Sequence, residues 1–215
     1  MSIQKRTSRR KWGIILSPFL LLIAVILGLI SGSVPISIGE IFAVFISEQA
    51  TVNETIIIDL RTPRVLIGLL VGACLAVSGA LLQGVMKNPL ADPGIIGVTA
   101  GGGLAASVTM VAFPQLSYLL PITAFAGAFL TALLIYLLAW DKGASPIKII
   151  LAGVAINALL GAVQNGIMVI FSDRVQAVLP WLAGGLSGRS WFHLEFMAPY
   201  ALIGLVLSLL AIRPA

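Results

Sequence analysis

The chain has 215 residues, 59% of them hydrophobic and 10% charged, with a mean hydropathy of +1.09 and a net charge of +5. Such a composition lies far outside the range of soluble globular domains. The positive charges sit at the ends of apolar runs instead of forming a basic stripe, which excludes a nucleic-acid surface.

Six apolar runs follow one another: Gly13–Gly32, Val65–Met86, Gly94–Phe113, Leu119–Trp140, Ile147–Phe171 and Trp191–Ile212. Each is close to the roughly 20 residues that cross a hydrocarbon core of about 30 Å. Backbone amides in lipid must be satisfied within their own segment, and no period-2 alternation suggests a barrel, so the expected fold is all-α: a polytopic membrane bundle of six helices. The reading treats residues 1–215 as one transmembrane domain.

Lys5, Arg6, Arg9, Arg10 and Lys11 precede the first run. Lys87, Lys142, Lys148 and Arg213 fall on the same side once six spans are threaded, and only Arg61, Arg64, Arg174 and Arg189 fall on the other. The positive-inside rule makes the first side cytoplasmic, both termini included. The basic start resembles a secretory signal, but its apolar run is too long and further spans follow, so it reads as an uncleaved helix. Ser33–Pro63 is the long outer loop, in which Ser37 can cap a short amphipathic helix within SVPISIGEIFAVFI.

Arg61 and Arg64, three residues apart, share a helical face at the outer end of the second span, where snorkelling anchorage and partner docking are both open. Gly68, Gly72, Ala76, Ala80 and Gly84 then form an i, i+4 stripe of small residues suited to close helix packing in lipid. Cys74 lies within this span and is the only cysteine, so no internal disulfide forms. Lys87-Asn88-Pro89-Leu90-Ala91-Asp92-Pro93 is a proline-stiffened cytoplasmic turn. Gly97–Gly103 (GVTAGGG) has neither a preceding strand nor a following Gly-Lys-Ser/Thr, so it is no nucleotide loop. Its glycines suit close helix approach or the lining of a path.

In the fifth span Asn157 and Gln164 share a face near Gly161, while Asn165 lies about 100° further round. Amides at this depth either bond neighbouring helices or face a wet pathway. Ser172–Ser190 is too short and polar to cross, and reads as a short helix broken at Pro180 followed by a glycine-rich rim carrying Trp181, Gly184 and Gly185. His193 has no metal-ligand companions, and no nucleophile–base set appears. The chain is therefore expected to be no enzyme and to carry no cofactor.

The segment Arg61–Gly103, with its two arginines, small-residue helix, NPLADPG turn and glycine-rich second helix, resembles the permease subunits of ABC importers that take up iron–siderophores, haem and vitamin B12. The resemblance implies that Arg61 and Arg64 meet glutamates of an extracytoplasmic substrate-binding protein, and that Asn88 and Leu90 narrow the cytoplasmic gate. It implies pathway lining by Asn157, Gly161 and Gln164, and an outer rim at Trp181, Gly184 and Gly185. It also implies a second permease subunit, identical or paired, cytoplasmic ATPase subunits and a bacterial cell membrane. Members of that family carry more spans than six, so the resemblance implies a partial chain whose ATPase-coupling loop would follow Ala215. A rival class, an ion-coupled secondary transporter, usually places a carboxylate or histidine in the membrane. Here Glu40, Glu48, Glu54, Asp59, Asp92, Asp141, Asp173 and Glu195 all fall in loops or at helix ends.

Overall fold

The computed structural model describes residues 3–46, 52–94, 96–140 and 145–211. Among them every element is helical: α1 (Ile3–Ile30), α2 (Ile38–Ile46), α3 (Val52–Thr55), a π-helical turn (Ile56–Arg61), α4 (Thr62–Met86), α5 (Val98–Ala112), α6 (Leu120–Ala139), α7 (Pro146–Ile170), α8 (Val175–Leu182) and α9 (Trp191–Ala211). Short 3-10 turns at Pro114–Leu119 and Ser172–Arg174 lead into α6 and α8. Five stretches are long and apolar enough to cross a membrane: Lys11–Ile30, Val52–Met86, Pro114–Ala139, Pro146–Ile170 and Trp191–Ala211. They match five of the six expected spans. Glu48, Asp141, Lys142 and Arg213, which entered the charge reading, lie outside the described residues.

The expected third span, Gly94–Phe113, is helical only over the 15 residues Val98–Ala112. Gly97, at φ 84°, holds the left-handed conformation and delays the start, while Phe113 at φ −131° and the following proline end the helix. At 1.5 Å per residue, α5 reaches only about 22 Å. Two further expectations need correction. The outer loop does not extend to Pro63, because the helical stretch of the second span already includes Val52, ahead of the expected Val65. The π-helical turn takes up Pro63, whose ring lacks an N–H and would crowd a carbonyl one turn back. Nor does Pro180 break α8, which continues to Leu182; Gln176, whose carbonyl loses that donor, is exposed.

The chain divides into two compact units, Met1–Gly72 with Leu186–Ile203, and Ala73–Gly185 with Gly204–Ala215. In the first, Ser37 and Glu40 form a capping box that starts α2. The Ser37 N–H donates to Glu40 Oε2 at 2.7 Å, and the Glu40 N–H donates to Ser37 Oγ at 3.3 Å. Asn53 Nδ2 donates to Glu40 Oε1 at 2.9 Å and ties α3 to the box. Ile36, Ile41 and Ile57 form the apolar cluster beneath.

The second unit packs by close backbone approach. A Cβ on Gly101 would collide with Thr131, and one on Gly127 would lie 2.5 Å from the Gly101 carbonyl, so α5 and α6 touch main chain to main chain. A Cβ on Gly153 would lie 2.7 Å from the Ile96 carbonyl, which seats α7 against the entry to α5. Met86, Ile96, Ile135 and Ile156 fill the adjoining core. Thr109 Oγ1, which donates to Ala105 O at 2.9 Å, also pairs with Thr123 Oγ1 at 3.0 Å.

The expected small-residue stripe on α4 is open by comparison. Nothing comes within 4 Å of a Cβ built on Gly72 or Gly84, Gly68 meets only Leu186 Cδ1 at 3.4 Å, and Ala76 and Ala80 are exposed.

Two outcomes follow. Gly101→Ala overpacks α5 against α6 and lowers unfolding free energy by about 1–3 kcal/mol, whereas Gly72→Ala gains up to about 1 kcal/mol of helix propensity; thermal unfolding in detergent separates them. The Ser37 N–H holds the Glu40 carboxyl below the ordinary carboxylate range. A depressed folded pKa contributes stability above the unfolded value and loses it as pH falls through the folded one. Glu40→Gln should flatten the fall in melting temperature as pH drops below about 5.

Candidate functional site

Helical spacing puts Asn157, Gly161 and Gln164 on one face of α7, and that face lines a cavity of about 250 Å³ in the second unit. Thr99 and Gly103 of α5 complete one wall, and Leu182 of α8 covers part of it. The lining holds amides, a hydroxyl, glycines and aliphatic groups and carries no formal charge. Asn165, one residue on, is exposed and lies off this face. Both polar atoms of the Gln164 amide are buried and have no hydrogen-bond partner among the described residues. An unpaired buried amide costs about 1–3 kcal/mol, so Gln164 burdens this arrangement.

The shared face of Asn157 and Gln164, with Gly161 near it, was legible from spacing, while its lining of a path was implied by the resemblance. Thr99 and Gly103, one turn apart, lay within the glycine run that was open between packing and lining. Leu182 gave no sequence signal, because its place above the cavity depends on where α8 turns. That turn is a Schellman cap. The Gly184 N–H donates to Trp181 O at 3.0 Å and the Gly185 N–H to Pro180 O at 3.3 Å, with Gly184 left-handed at φ 76°. The expected rim residues Trp181, Gly184 and Gly185 thus end α8, with Trp181 half-buried.

A second Schellman cap ends α4 at the predicted gate. The Lys87 N–H donates to Gly84 O at 3.3 Å and the Asn88 N–H to Gln83 O at 3.2 Å, with Lys87 itself left-handed at φ 49°. Asn88 Oδ1 accepts from the Leu90 N–H at 3.0 Å, and Asp92 Oδ1 from the Gly94 N–H at 2.7 Å. The turn therefore stands on its own side chains, and Leu90 projects from it at 80% exposure.

In the first unit Arg61 and Arg64 part company. Arg61 is only 6% exposed. Its Nη1 donates to Leu29 O at 2.6 Å and Ile30 O at 2.7 Å, and its Nη2 to Val34 O at 2.5 Å. Arg64 is half-buried, and its buried Nε has no hydrogen-bond partner among the described residues. Trp191 Nε1 donates to Ile58 O at 3.0 Å. Among the described residues no three His, Cys, Asp or Glu side chains are grouped to hold a metal.

Residues 20–215 match the family model described as the FecCD transport family. The chain belongs to that family. It is 41% identical over 209 residues to the Fe(3+)-citrate import system permease protein YfmE of Bacillus subtilis (strain 168), covering 93% of this chain and 61% of the relative. It is 36% identical over 225 residues to the iron(3+)-hydroxamate import system permease protein FhuG of the same organism, covering 97% and 65%. Among solved structures it is similar to a metal-chelate type ABC transporter in an inward-facing conformation, with a TM-score of 0.71 and 28% identity over 86% of this chain and 57% of that one. This FecCD-family chain therefore spans about three-fifths of the length of the curated relatives it matches.

Two substitutions probe the site's local energetics. Lys87→Gly relieves a left-handed side-chain residue and should stabilise the protein by about 1 kcal/mol. Gln164→Met keeps the volume while removing the unpaired amide, and should stabilise it by about 1 kcal/mol or more. Denaturant titration in detergent measures both; a loss of stability in Gln164→Met would show that the amide is paired in solution.

Proposed function

We propose that this chain forms part of the translocation pathway of a bacterial ABC importer for iron chelates. The observation that carries the reading is the uncharged cavity along Asn157, Gly161 and Gln164 in a FecCD-family chain. The relatives YfmE and FhuG, permease proteins of Fe(3+)-citrate and iron(3+)-hydroxamate import systems, suggest the substrate class. The chain lies in the cell membrane with its basic N-terminus cytoplasmic, as the distribution of lysine and arginine favours.

In this reading the working importer joins two permease subunits, identical or paired, with two cytoplasmic ATPases and an extracytoplasmic binding protein. The binding protein docks through carboxylates on Arg64, whose planar fork can hold one with two hydrogen bonds. ATP binding and hydrolysis in the partners switch which side of the pathway is open, so the permease contributes shape and gates and no bond chemistry. The Lys87–Gly94 turn narrows the cytoplasmic mouth, with Leu90 as the projecting side chain and Asn88 as the residue that shapes the turn. Amide and hydroxyl groups on the cavity wall give a passing chelate hydrogen-bonding surface without a charge to trap it.

The test is uptake of radiolabelled ferric citrate and ferric hydroxamate by proteoliposomes containing the assembled importer. Uptake should require ATP and the binding protein. Gly161 has nothing within 4 Å of a built Cβ. Gly161→Phe should therefore obstruct the cavity and slow uptake at least about tenfold, equivalent to 1.4 kcal/mol on the limiting barrier, without lowering the melting temperature. Uptake driven by a proton gradient in the absence of ATP would refute the importer reading.

A further inference from the structure

Leu29 and Ile30 are the last two residues of α1, so their carbonyls lack intrahelical donors. One guanidinium closes both and also holds the Val34 carbonyl of the loop that follows. The positive charge lies against the negative end of the helix dipole, the side on which a cation is favoured. The fit is tight: a Cβ on Gly32 would stand 2.6 Å from Arg61 Nη2. Of the two arginines that the sequence offers for docking, Arg61 is thus the one held by its own chain, through three hydrogen bonds.

The π-helical turn accounts for this engagement. Widening the helix over Ile56–Arg61 changes the rotational register of the preceding residues relative to α4. Thr62, the residue after the turn, donates both its N–H and its Oγ1 to the Ile57 carbonyl, the latter at 2.8 Å. The neighbouring Ile58 carbonyl takes the Trp191 indole N–H, at 3.0 Å, from the first residue of α9. The end of α1, its loop and the start of α9 are therefore all tied to one widened turn of main chain, within a single compact unit.

We infer that Arg61 is a positioning residue of the outer rim: its guanidinium closes the C-terminus of α1 and the loop through Val34, and so fixes the surface on which Arg64 meets a carboxylate-bearing partner. The inference rests on the docking role proposed for Arg64, but the clamp itself can be measured without any partner. Arg61 carries its charge inward to main-chain carbonyls, whereas Arg64 is half-buried and its buried Nε has no hydrogen-bond partner among the described residues.

The experiment has two arms. In the first, the purified full chain in detergent is treated with p-hydroxyphenylglyoxal, and modification of each arginine is followed by mass spectrometry. Arg174, whose side chain is 48% exposed, serves as the internal reference. Arg61 should react at least about tenfold more slowly than Arg174, because modification requires local opening. Gly32→Ala, which alters no charge, should bring the two rates together. Equal rates in the unsubstituted protein would overturn the proposal, and that result does not depend on any variant folding.

In the second arm, association of the binding protein with the intact importer is titrated against salt. Arg64→Gln should weaken association and flatten its salt dependence, as loss of a rim charge does. Arg61→Met and Gly32→Ala should weaken it with the salt dependence unchanged, and Arg61→Lys, which keeps three donors, should restore it. A flattened salt dependence in Arg61→Met would make Arg61 a direct contact and overturn the proposal. Unaltered association in Arg64→Gln would overturn the docking reading instead, and the reagent protection of Arg61 would still report the clamp.

Discussion

In lipid a helix satisfies its own backbone everywhere except at its ends, and closing those ends is the constraint on which this chain depends. Several of those ends are closed by identifiable devices. Arg61 takes the terminal carbonyls of α1. Arg174 Nη1 donates to Val111 O, near the end of α5, at 2.6 Å. Schellman turns end α4 and α8, and the Ser37–Glu40 box starts α2. The first two and the box use polar side chains at helix margins, whereas the cap of α8 uses the left-handed Gly184.

Between those margins the packing force is contact, not hydrophobic transfer, because lipid tails are as apolar as the side chains. The second unit meets this by putting glycine where helices cross, at Gly101, Gly127 and Gly153. The same approach brings Thr99 and Gly103 beside α7 and shapes the cavity that carries Asn157 and Gln164. Gly101 and Gly153, which seat the helices, thus lie within about one helical turn in sequence of Thr99, Gly103 and Asn157, which line the space between them.

Long apolar runs and the face shared by Asn157, Gly161 and Gln164 were legible because they depend on local periodicity. The NPLADPG turn was legible for the same reason: its bonds are made by Asn88 and Asp92 to residues two positions away. Arg61 was not, since its partners lie 27 to 32 residues earlier and the π-helical turn that aims it has no simple sequence mark. The stripe on α4 was legible as a pattern, but a pattern does not say what covers it, and the close contacts instead fall on α5, α6 and α7. The third span was overestimated because the apolar run begins before Gly97, whose left-handed backbone delays the start of the helix to Val98.

The shortness of α5 bears on how water meets this fold. A rod of about 22 Å in a hydrocarbon layer of about 30 Å leaves a shortfall that the adjoining non-helical chain must make up. The turn before it can do so because Asn88 and Asp92 already occupy backbone donors that lipid could not. The aqueous boundary can accordingly dip inward beside α5, and a solute crossing there would travel a thinner dielectric barrier than the surrounding bilayer presents.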